Sequence, residues 1–367
     1  MVRFSDVLTI VNGKNQSKVE NPNGKYPIYG SGGVMGYADD YLCGAETVVI
    51  GRKGSINKPI YVEKPFWNVD TAFGLVSNRD LLLPKYLFYF CVYFDFEQLN
   101  TTVTIPSLTK ANLLNIEMML PSLGVQQEVV NRLSKVDELI ALRKEQLAKL
   151  DQLVKSRFIE LFGDLASPEC QWRREKLVDA CADPDDIKCG PFGTQLNKDE
   201  YQREGIAVWE IPQINSRFMT SPTHYLTGNK AKQLDAYSIK AGDIAMSRKG
   251  NVGKCAVFPV DYEEGIIHSD VLRIRVDSKR VLPIFMMYQL HYSGAVQHQI
   301  ELVSSGAIMA GINVTKLKQI FVHIPPIELQ SQFATFVEQT DKSKFDIQKS
   351  LEKLETLKKS LMQQYFG

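Results

Sequence analysis

Shifted by 204 residues, this chain falls onto itself. The segment from Leu113 to Gly163 aligns without a gap on Leu317 to Gly367, and 13 of the 51 pairs are identical. The identities include Pro121/Pro325, Gln126/Gln330, Asp137/Asp341, Leu150/Leu354, Phe162/Phe366 and Gly163/Gly367. Unrelated sequences match several-fold less often. A repeat of this kind constrains the fold more than any local motif, because whatever one copy forms the other must also form. Each copy reads as a short apolar strand (Ile116–Leu120, Ile320–Ile324), then proline, then a long stretch without Gly or Pro (Val125–Phe162, Ile327–Phe366). As helices, these stretches would each be roughly 55–60 Å long at ~1.5 Å per residue.

The helices carry a 3-4 apolar spacing. In the first copy the seam runs through Leu133, Val136, Ile140, Arg143, Leu147, Leu150, Val154, Arg157 and Leu161. In the second it runs through Val337, Thr340, Lys344, Ile347, Leu351, Leu354, Lys358, Leu361 and Tyr365. This is coiled-coil spacing, made imperfect by Lys344 and Lys358. Two such helices in one chain pack most simply on each other, antiparallel. A plain helical hairpin or a dimerising coiled coil would satisfy the helices alone. Two globular segments, rich in aromatic and β-branched runs punctuated by Gly and Pro, weigh against that.

Those segments share a fainter pattern. "TVVIGRKGSINK" (Thr47–Lys58) matches "DIAMSRKGNVGK" (Asp243–Lys254) at a shift of 196, and in both a Leu-Pro leads into an aromatic-rich helix. The repeat unit is therefore head plus helix, twice, with the heads diverged and the helices alike. The expected fold is α+β: two mixed α/β heads joined by two long antiparallel coiled-coil helices in a pseudo-twofold internal repeat. The expected divisions are 1–122 (first head), 123–163 (central helix), 164–325 (second head) and 326–367 (C-terminal helix).

Composition narrows the function classes. At 367 residues the chain suits two or three domains, and it is 44% hydrophobic. It has no run of 18 apolar residues, so no transmembrane helix is expected, and the N-terminus lacks the pattern of a secretion signal. The six cysteines form no CxxC pair and the five histidines do not cluster near them. Zinc is not expected, and reduced thiols in a cytoplasm are the simple reading. Net charge is +1. Residues 1–107 carry ten basic and ten acidic side chains, and residues 164–311 carry 17 and 19. Any nucleic-acid affinity must therefore come from a local basic face.

At this point the residues resemble a known family, the specificity subunits of type I restriction–modification systems. "KAGDIAMSRKGNVGK" (Lys240–Lys254) is similar to a stretch of that family, and "NGKYPIYGSGGVMGY" (Asn23–Tyr37) to the opening of many of its target recognition domains. "LTKANLLNIEMMLPSLGVQQEVVNRL" and "INVTKLKQIFVHIPPIELQSQFATFV" resemble its strand–Pro–Pro–helix junction. The first copy departs modestly, with Pro121-Ser122 and Gln126-Gln127, and the second has Leu329-Gln330 where Glu-Gln is usual. The resemblance covers essentially the whole chain. It implies that each head is a target recognition domain reading half of a split site in double-stranded DNA. It implies that the helices set the spacer and dock two modification (methyltransferase) subunits, with restriction (translocase–nuclease) subunits joining them. S-adenosylmethionine, ATP and Mg would serve those partners, with no cofactor or metal on this chain, no membrane and a cytoplasmic location. The system would be one of DNA modification and phage defence.

The chain itself carries no catalytic signature. It has no Asn-Pro-Pro-aromatic motif, no FxGxG loop and no GxxxxGK[ST], and "YGSGGVMG" is wrongly spaced for a dinucleotide fingerprint. "PDDIK" at Pro184–Lys188 compresses its acids into one turn, and neighbours such as His268-Ser269-Asp270 rarely form a triad. The expectation is a non-catalytic subunit. The alternatives are a coiled-coil scaffold with two protein-binding heads, or an enzyme whose site has no familiar motif.

Candidate DNA contacts follow from residue chemistry. Arg52-Lys53-Gly54 and Arg248-Lys249-Gly250 each follow an apolar strand, so the basic pairs should stand on turn tips. There they would meet phosphates or guanine edges, or simply neutralise Asp70 or Asp270. Asn57, Lys58, Asn251 and Lys254 extend the same surface. Thr101, Thr102 and Thr104 in one copy, and Ser304 and Ser305 in the other, are small donors before the closing strand. Gln195, Asn197, Gln213 and Asn215 have the amides that read adenine, although a surface amide is commoner. Trp67 and Trp209 fit a core better than a stacking platform. Val129, Leu139, Phe333 and Phe336 fall outside the seam and could dock partner subunits or pack on the chain's own heads.

Overall fold

The structure, a computed structural model, describes residues 1–100, 106–165, 167, 170–250, 252–305 and 311–367. It divides into two units, Met1–Gln146 with Asp346–Gly367, and Leu147–Phe345. The two long stretches are helices of 40 residues each, Leu123–Phe162 and Ile327–Phe366. Gly163 ends the first at φ +72°, donating its N–H to Ile159 O at 2.8 Å, the left-handed cap that glycine adopts without steric cost.

In the first unit the start of one helix runs antiparallel to the end of the other. Lys358 Nζ lies 2.6 Å from Asp137 Oδ1, and Lys144 Nζ lies 3.3 Å from Glu355 Oε1. In the second unit Lys344 Nζ lies 2.6 Å from Asp151 Oδ1, and the Phe158 and Phe333 rings meet at 5.3 Å. Every position of the 3-4 seam is buried or half-buried, including the two lysines, and most flanking positions are exposed. Each seam ammonium faces a carboxylate of the opposite helix, which offsets the cost of drawing it out of water.

The heads repeat one topology. The first has a four-stranded antiparallel sheet ordered Leu8–Asn12, Ala72–Ser77, Thr47–Gly51, Ile60–Val62. The second has Ile187–Cys189, Val271–Ile274, Ile244–Ser247, Cys255–Val257 in the same order. Each head adds a second, mixed sheet, of three strands in the first and four in the second, with one parallel pair: Tyr26–Gly30 beside Trp67–Asn68, and Ile206–Trp209 beside Gly265–Ile267. In each, the strand that opens the head (Val2–Arg3, Arg173–Lys176) pairs antiparallel with the strand leading to the long helix (Glu117–Met118, Phe321–Ile324). An aromatic-rich helix follows the Leu-Pro in both, Pro84–Tyr93 and Pro283–Tyr292, with Pro in its first turn where the missing N–H costs nothing.

Two identities of the repeat now have a cause. Gln126 and Gln330 are fully buried. Gln126 Oε1 accepts the N–H of Leu83 at 2.9 Å while its Nε2 donates to Leu81 O and Pro121 O. Gln330 does the same for Leu282 N–H at 2.7 Å and for Arg280 O and Pro325 O. Each amide satisfies two backbone groups of the Leu-Pro turn and one carbonyl of the proline junction before the long helix, tying the two together.

The cores decide between docking and core packing for two of the apolar positions outside the seam. Val129 and Phe333 do not sit on an outer face. Both are buried, Val129 in the first unit's core with Val130, Leu133 and Met362, and Phe333 in the second unit's core with Val154, Phe158 and Phe162. The head aromatics cover the helix flank as well as the seam. Leu139 and Phe336 are half-buried, and the Arg157 guanidinium lies 5.9 Å above the Phe336 ring. Trp67 and Trp209 are core residues, 7% and 4% exposed. Among the described residues no helix is long and apolar enough to cross a membrane.

Candidate DNA interface

The two basic turns are built alike. In each, the apolar strand ends, an Arg-Lys pair follows, and a glycine takes a positive φ (Gly54 +80°, Gly250 +67°) that a side chain would strain. Each turn is clasped to the segment after the aromatic helix. Leu108 N–H donates to Arg52 O at 2.9 Å and Lys53 bridges Ser107. Ile312 N–H donates to Arg248 O at 3.2 Å and Lys249 bridges Gly311. The short pair Ser304–Ser305 with Gly311–Ile312 therefore adjoins the second turn, uniting two groups of residues that lie far apart in sequence. Thr101, Thr102, Thr104 and Asn251 lie outside the described residues. The same holds for the side chain of Ser305.

The side chains on the two turns differ. Arg52 and Lys53 are exposed, and among the described residues no carboxylate pairs with either. Arg52 rests over the Phe73 ring at 5.8 Å, which orients the guanidinium without neutralising it. Arg248 instead folds back. Its Nε donates to Ile312 O at 3.1 Å and its guanidinium lies 5.3 Å over Phe192. Lys249 is neutralised, with Nζ 2.8 Å from Asp270 Oδ1. In the second head, then, the basic turn neutralises an aspartate, which the sequence left open as the alternative to DNA contact.

Several other expected contacts have structural work to do. Asn57 ties two segments, donating to Asp95 Oδ1 at 2.7 Å and accepting the N–H of Phe96 at 2.6 Å. Gln213 is buried, accepting the N–H of Glu210 at 3.1 Å and donating to Ser221 O at 3.0 Å, so no free amide edge remains to read a base. Ser304 Oγ donates to Ile300 O at 2.7 Å. Gln195 is exposed, with Oε1 accepting from Tyr237 Oη at 3.0 Å. Exposed Asn197 caps the turn Lys198–Glu200, its N–H donating to Glu200 Oε2 at 2.8 Å. Lys58 is exposed, Lys254 half-buried, and Asn215 faces a cavity in the second unit.

Phe192, 52% exposed beneath Arg248, went unread as a site residue, because one Phe among glycines gives no periodic signal. The same is true of the exposed Val34 and Met35 on the hairpin strand Gly33–Ala38. That hairpin's tip lies against the first basic turn: a Cβ at Gly51 would stand 2.9 Å from Ser31 Cβ. Among the described residues no group of His, Cys, Asp and Glu could hold a metal ion. Burial pushes the Cys43, Cys181 and Cys255 thiols up to about 12, where a thiolate nucleophile is not available.

Comparison with known proteins agrees with this architecture. The family model described as the type I restriction modification DNA specificity domain matches residues 1–152 and 191–359. A chain of Haemophilus influenzae, named for a type I restriction enzyme specificity subunit, is 24% identical over 325 residues, 86% of this chain and 80% of that one. The MjaX specificity subunit of Methanocaldococcus jannaschii, named in the same way, is 22% identical over 300 residues, covering 78% and 68%. Among solved structures, the S subunit of the type I restriction–modification system of M. genitalium matches with a TM-score of 0.65 at 16% identity, over 100% of this chain and 95% of that one. A second, from work on complex assembly and conformational transition of the type I system, gives 0.57 at 17% identity, over 99% and 96%. At these identities the structural likeness speaks for the fold alone.

Proposed function

Because the chain belongs to the type I restriction–modification DNA specificity family, we propose that each head reads one half of a split, asymmetric site in double-stranded DNA. A specificity subunit is non-catalytic, so chemistry falls to its partners. Two modification subunits dock on the long helices and methylate adenine in each half-site with S-adenosylmethionine. Restriction subunits use ATP and Mg to translocate and cut. The complex works in the cytoplasm.

The observation that carries this reading is the pair of clasped turns. One architecture, built twice, presents Arg52 and Lys53 free in the first head. A near-neutral protein needs such placed cations to position a duplex, and base-reading groups then act around them. In the second head Lys249 is neutralised by Asp270 and Arg248 is folded back, so its readout falls on neighbouring groups such as Phe192 and Gln195. Heads that differ in this way suit two different half-sites. The length of the two helices sets the spacer.

The test is to purify the chain with its methyltransferase partner and map methylated adenines across a genome. A split, asymmetric motif is the expected result. Methylation that is unchanged when this chain is left out overturns the proposal. Inserting a few residues into both helices should change the spacer and leave the half-site sequences alone.

A further inference from the structure

The second unit contains a cavity beside its aromatic-rich helix. It has a volume of about 260 Å³ and lies between the short helix Ile211–Asn215, the start of the strand Cys255–Val257 and the helix Pro283–Tyr292. Asn215, Arg217, Lys254, Cys255, Tyr288 and His291 line it. Among the described residues no carboxylate lies within ion-pair distance of Arg217 or Lys254. Asp151 and Asp341 are within electrostatic reach of Arg217 but form no ion pair with it. The Asn215 Oδ1 is buried with no hydrogen-bond partner. Burial first, and then the charges of Arg217 and Lys254, hold His291 below the ordinary imidazole value, with Asp151 acting in the opposite direction.

The backbone is strained where it delivers this charge. Arg217 and Phe218 have φ of +52° and +63°, a left-handed pair that side chains disfavour. The strain is held from below. Phe218 is 1% exposed and packs edge-on against Trp209 and Phe258, and its N–H donates to Gln213 O at 2.6 Å. Strain that a core over-determines tends to serve a site. In the first head, Phe88, Tyr89 and Val92 stand where the second has Met287, Tyr288 and His291, and no segment corresponds to Arg217. There the Tyr61, Phe88 and Tyr89 rings pack together at 5.7 and 5.4 Å. One head fills the place with aromatics, and the other lines it with donors.

We propose that this cavity binds a phosphate group borne by a nucleotide, with Arg217 and Lys254 supplying the charge and the Asn215 amide and His291 the neutral hydrogen bonds. Several donors converging from different directions suit an anion with three or four acceptor oxygens better than a planar carboxylate. The volume exceeds the roughly 30 Å³ share of one water many times over, leaving room for the ester beyond the phosphate. Among the described residues nothing accepts from the Asn215 Nδ2, so this NH2 is the amide group that can donate to the anion.

Two sources share this chemistry: a phosphate of the DNA strand, or a free phosphate or nucleotide. The full chain, with its methyltransferase partner, should be titrated with inorganic phosphate and with adenosine monophosphate, and separately with duplex DNA across a salt series. The proteins are wild type, Arg217→Gln, Lys254→Gln and Asn215→Asp, with Lys279→Gln, an exposed lysine outside the candidate DNA contacts, as control. Asn215→Asp places a carboxylate in the cavity without changing its shape. It should raise the melting temperature without ligand and abolish any stabilisation by phosphate. A free ligand shows as saturable binding that weakens at least tenfold in the three cavity variants and not in the control. A DNA phosphate shows as a log–log salt slope reduced by about 0.9 in Arg217→Gln and Lys254→Gln. If neither response separates the cavity variants from the control, the proposal is wrong. The free-ligand arm needs no DNA reading, so its result stands whatever becomes of the proposed function.

Discussion

Phe366 lies edge-on to Tyr86, with ring centroids 5.2 Å apart. Phe162, its counterpart in the repeat, stands in the same way against Phe285 at 4.7 Å. Each is the last residue of its long helix, and each closes the aromatic core of the unit that it ends in. Phe162 is 3% exposed, and truncating it to Ala should cost about 3–5 kcal/mol. Phe366 is half-buried and should cost less. Urea midpoints of the two variants check the ranking. Equal, small shifts would mean that the helix ends are not part of the cores.

Gln126 and Gln330 should be intolerant of change for an electrostatic reason. Replacing either by Ala leaves one N–H and two carbonyl groups unpaired in the interior, at about 1–3 kcal/mol for each group left unsatisfied. Gln330→Glu should be worse above neutral pH than at pH 5. A carboxylate would face Arg280 O and Pro325 O, where the amide now donates, while a protonated acid could still donate to one of them. Melting temperature against pH for both variants is the measurement.

What could be read from residues alone, and what could not, divides along physical lines. Local periodicity marked the helices and their seam, down to Lys344 and Lys358, because burial on a helix repeats every three to four residues. The glycine of each RKG turn was legible because a positive φ needs it. Whether Phe333 docks a partner or packs in the core stays open in the sequence, because its partners, Phe158, Tyr288 and Phe162, come from other elements and cover a face outside the seam. The pairing of Lys249 with Asp270 was open in the sequence, since a spacing of 21 residues does not say which turns meet. Arg217 left no trace at all, being a lone arginine in a loop whose backbone conformation makes it matter.

The lysines in the seam should matter more for register than for stability. Lys344 is 14% exposed, while its partner Asp151 is 57% exposed and stays largely hydrated. Lys344→Met should therefore change stability by no more than about 1 kcal/mol, because the remaining carboxylate turns to water. Asp151→Ala should cost more, since it leaves the ammonium with only Asp341, 3.5 Å away on its own helix. Thermal unfolding of the two single variants and the double distinguishes the cases. The reverse order would mean that Lys344 contributes mainly by packing its alkyl chain.

Acid should weaken the second unit before general acid unfolding sets in. Burial, with Arg174 adding to it, holds His323 below the ordinary imidazole value, and His291 is held down as well. Between the unfolded value of about 6.5 and the lowered folded values, the unfolded chain binds more protons than the native one. Stability is therefore full above that window and falls as pH drops through it. Urea midpoints measured from pH 7.5 to 5 should decline, and His323→Asn should flatten part of the slope. An unchanged slope would place the titration elsewhere.

The contrast between the two turns gives the sharpest test of DNA binding. Arg52→Gln and Lys53→Gln should each weaken binding to all sequences alike, lowering the log–log salt slope by about 0.9 for each phosphate that is no longer neutralised. Lys249→Gln should do little, because Asp270 already neutralises the ammonium at 2.8 Å. Asp270→Asn is the informative change. It frees Lys249 without altering the shape of the site, and should raise DNA affinity at low salt and steepen the slope. Fluorescence anisotropy of a labelled duplex between 50 and 200 mM salt reads all four variants. If Arg52 and Lys53 leave the slope unchanged while Lys249 lowers it, the assignment of the free turn to DNA is reversed.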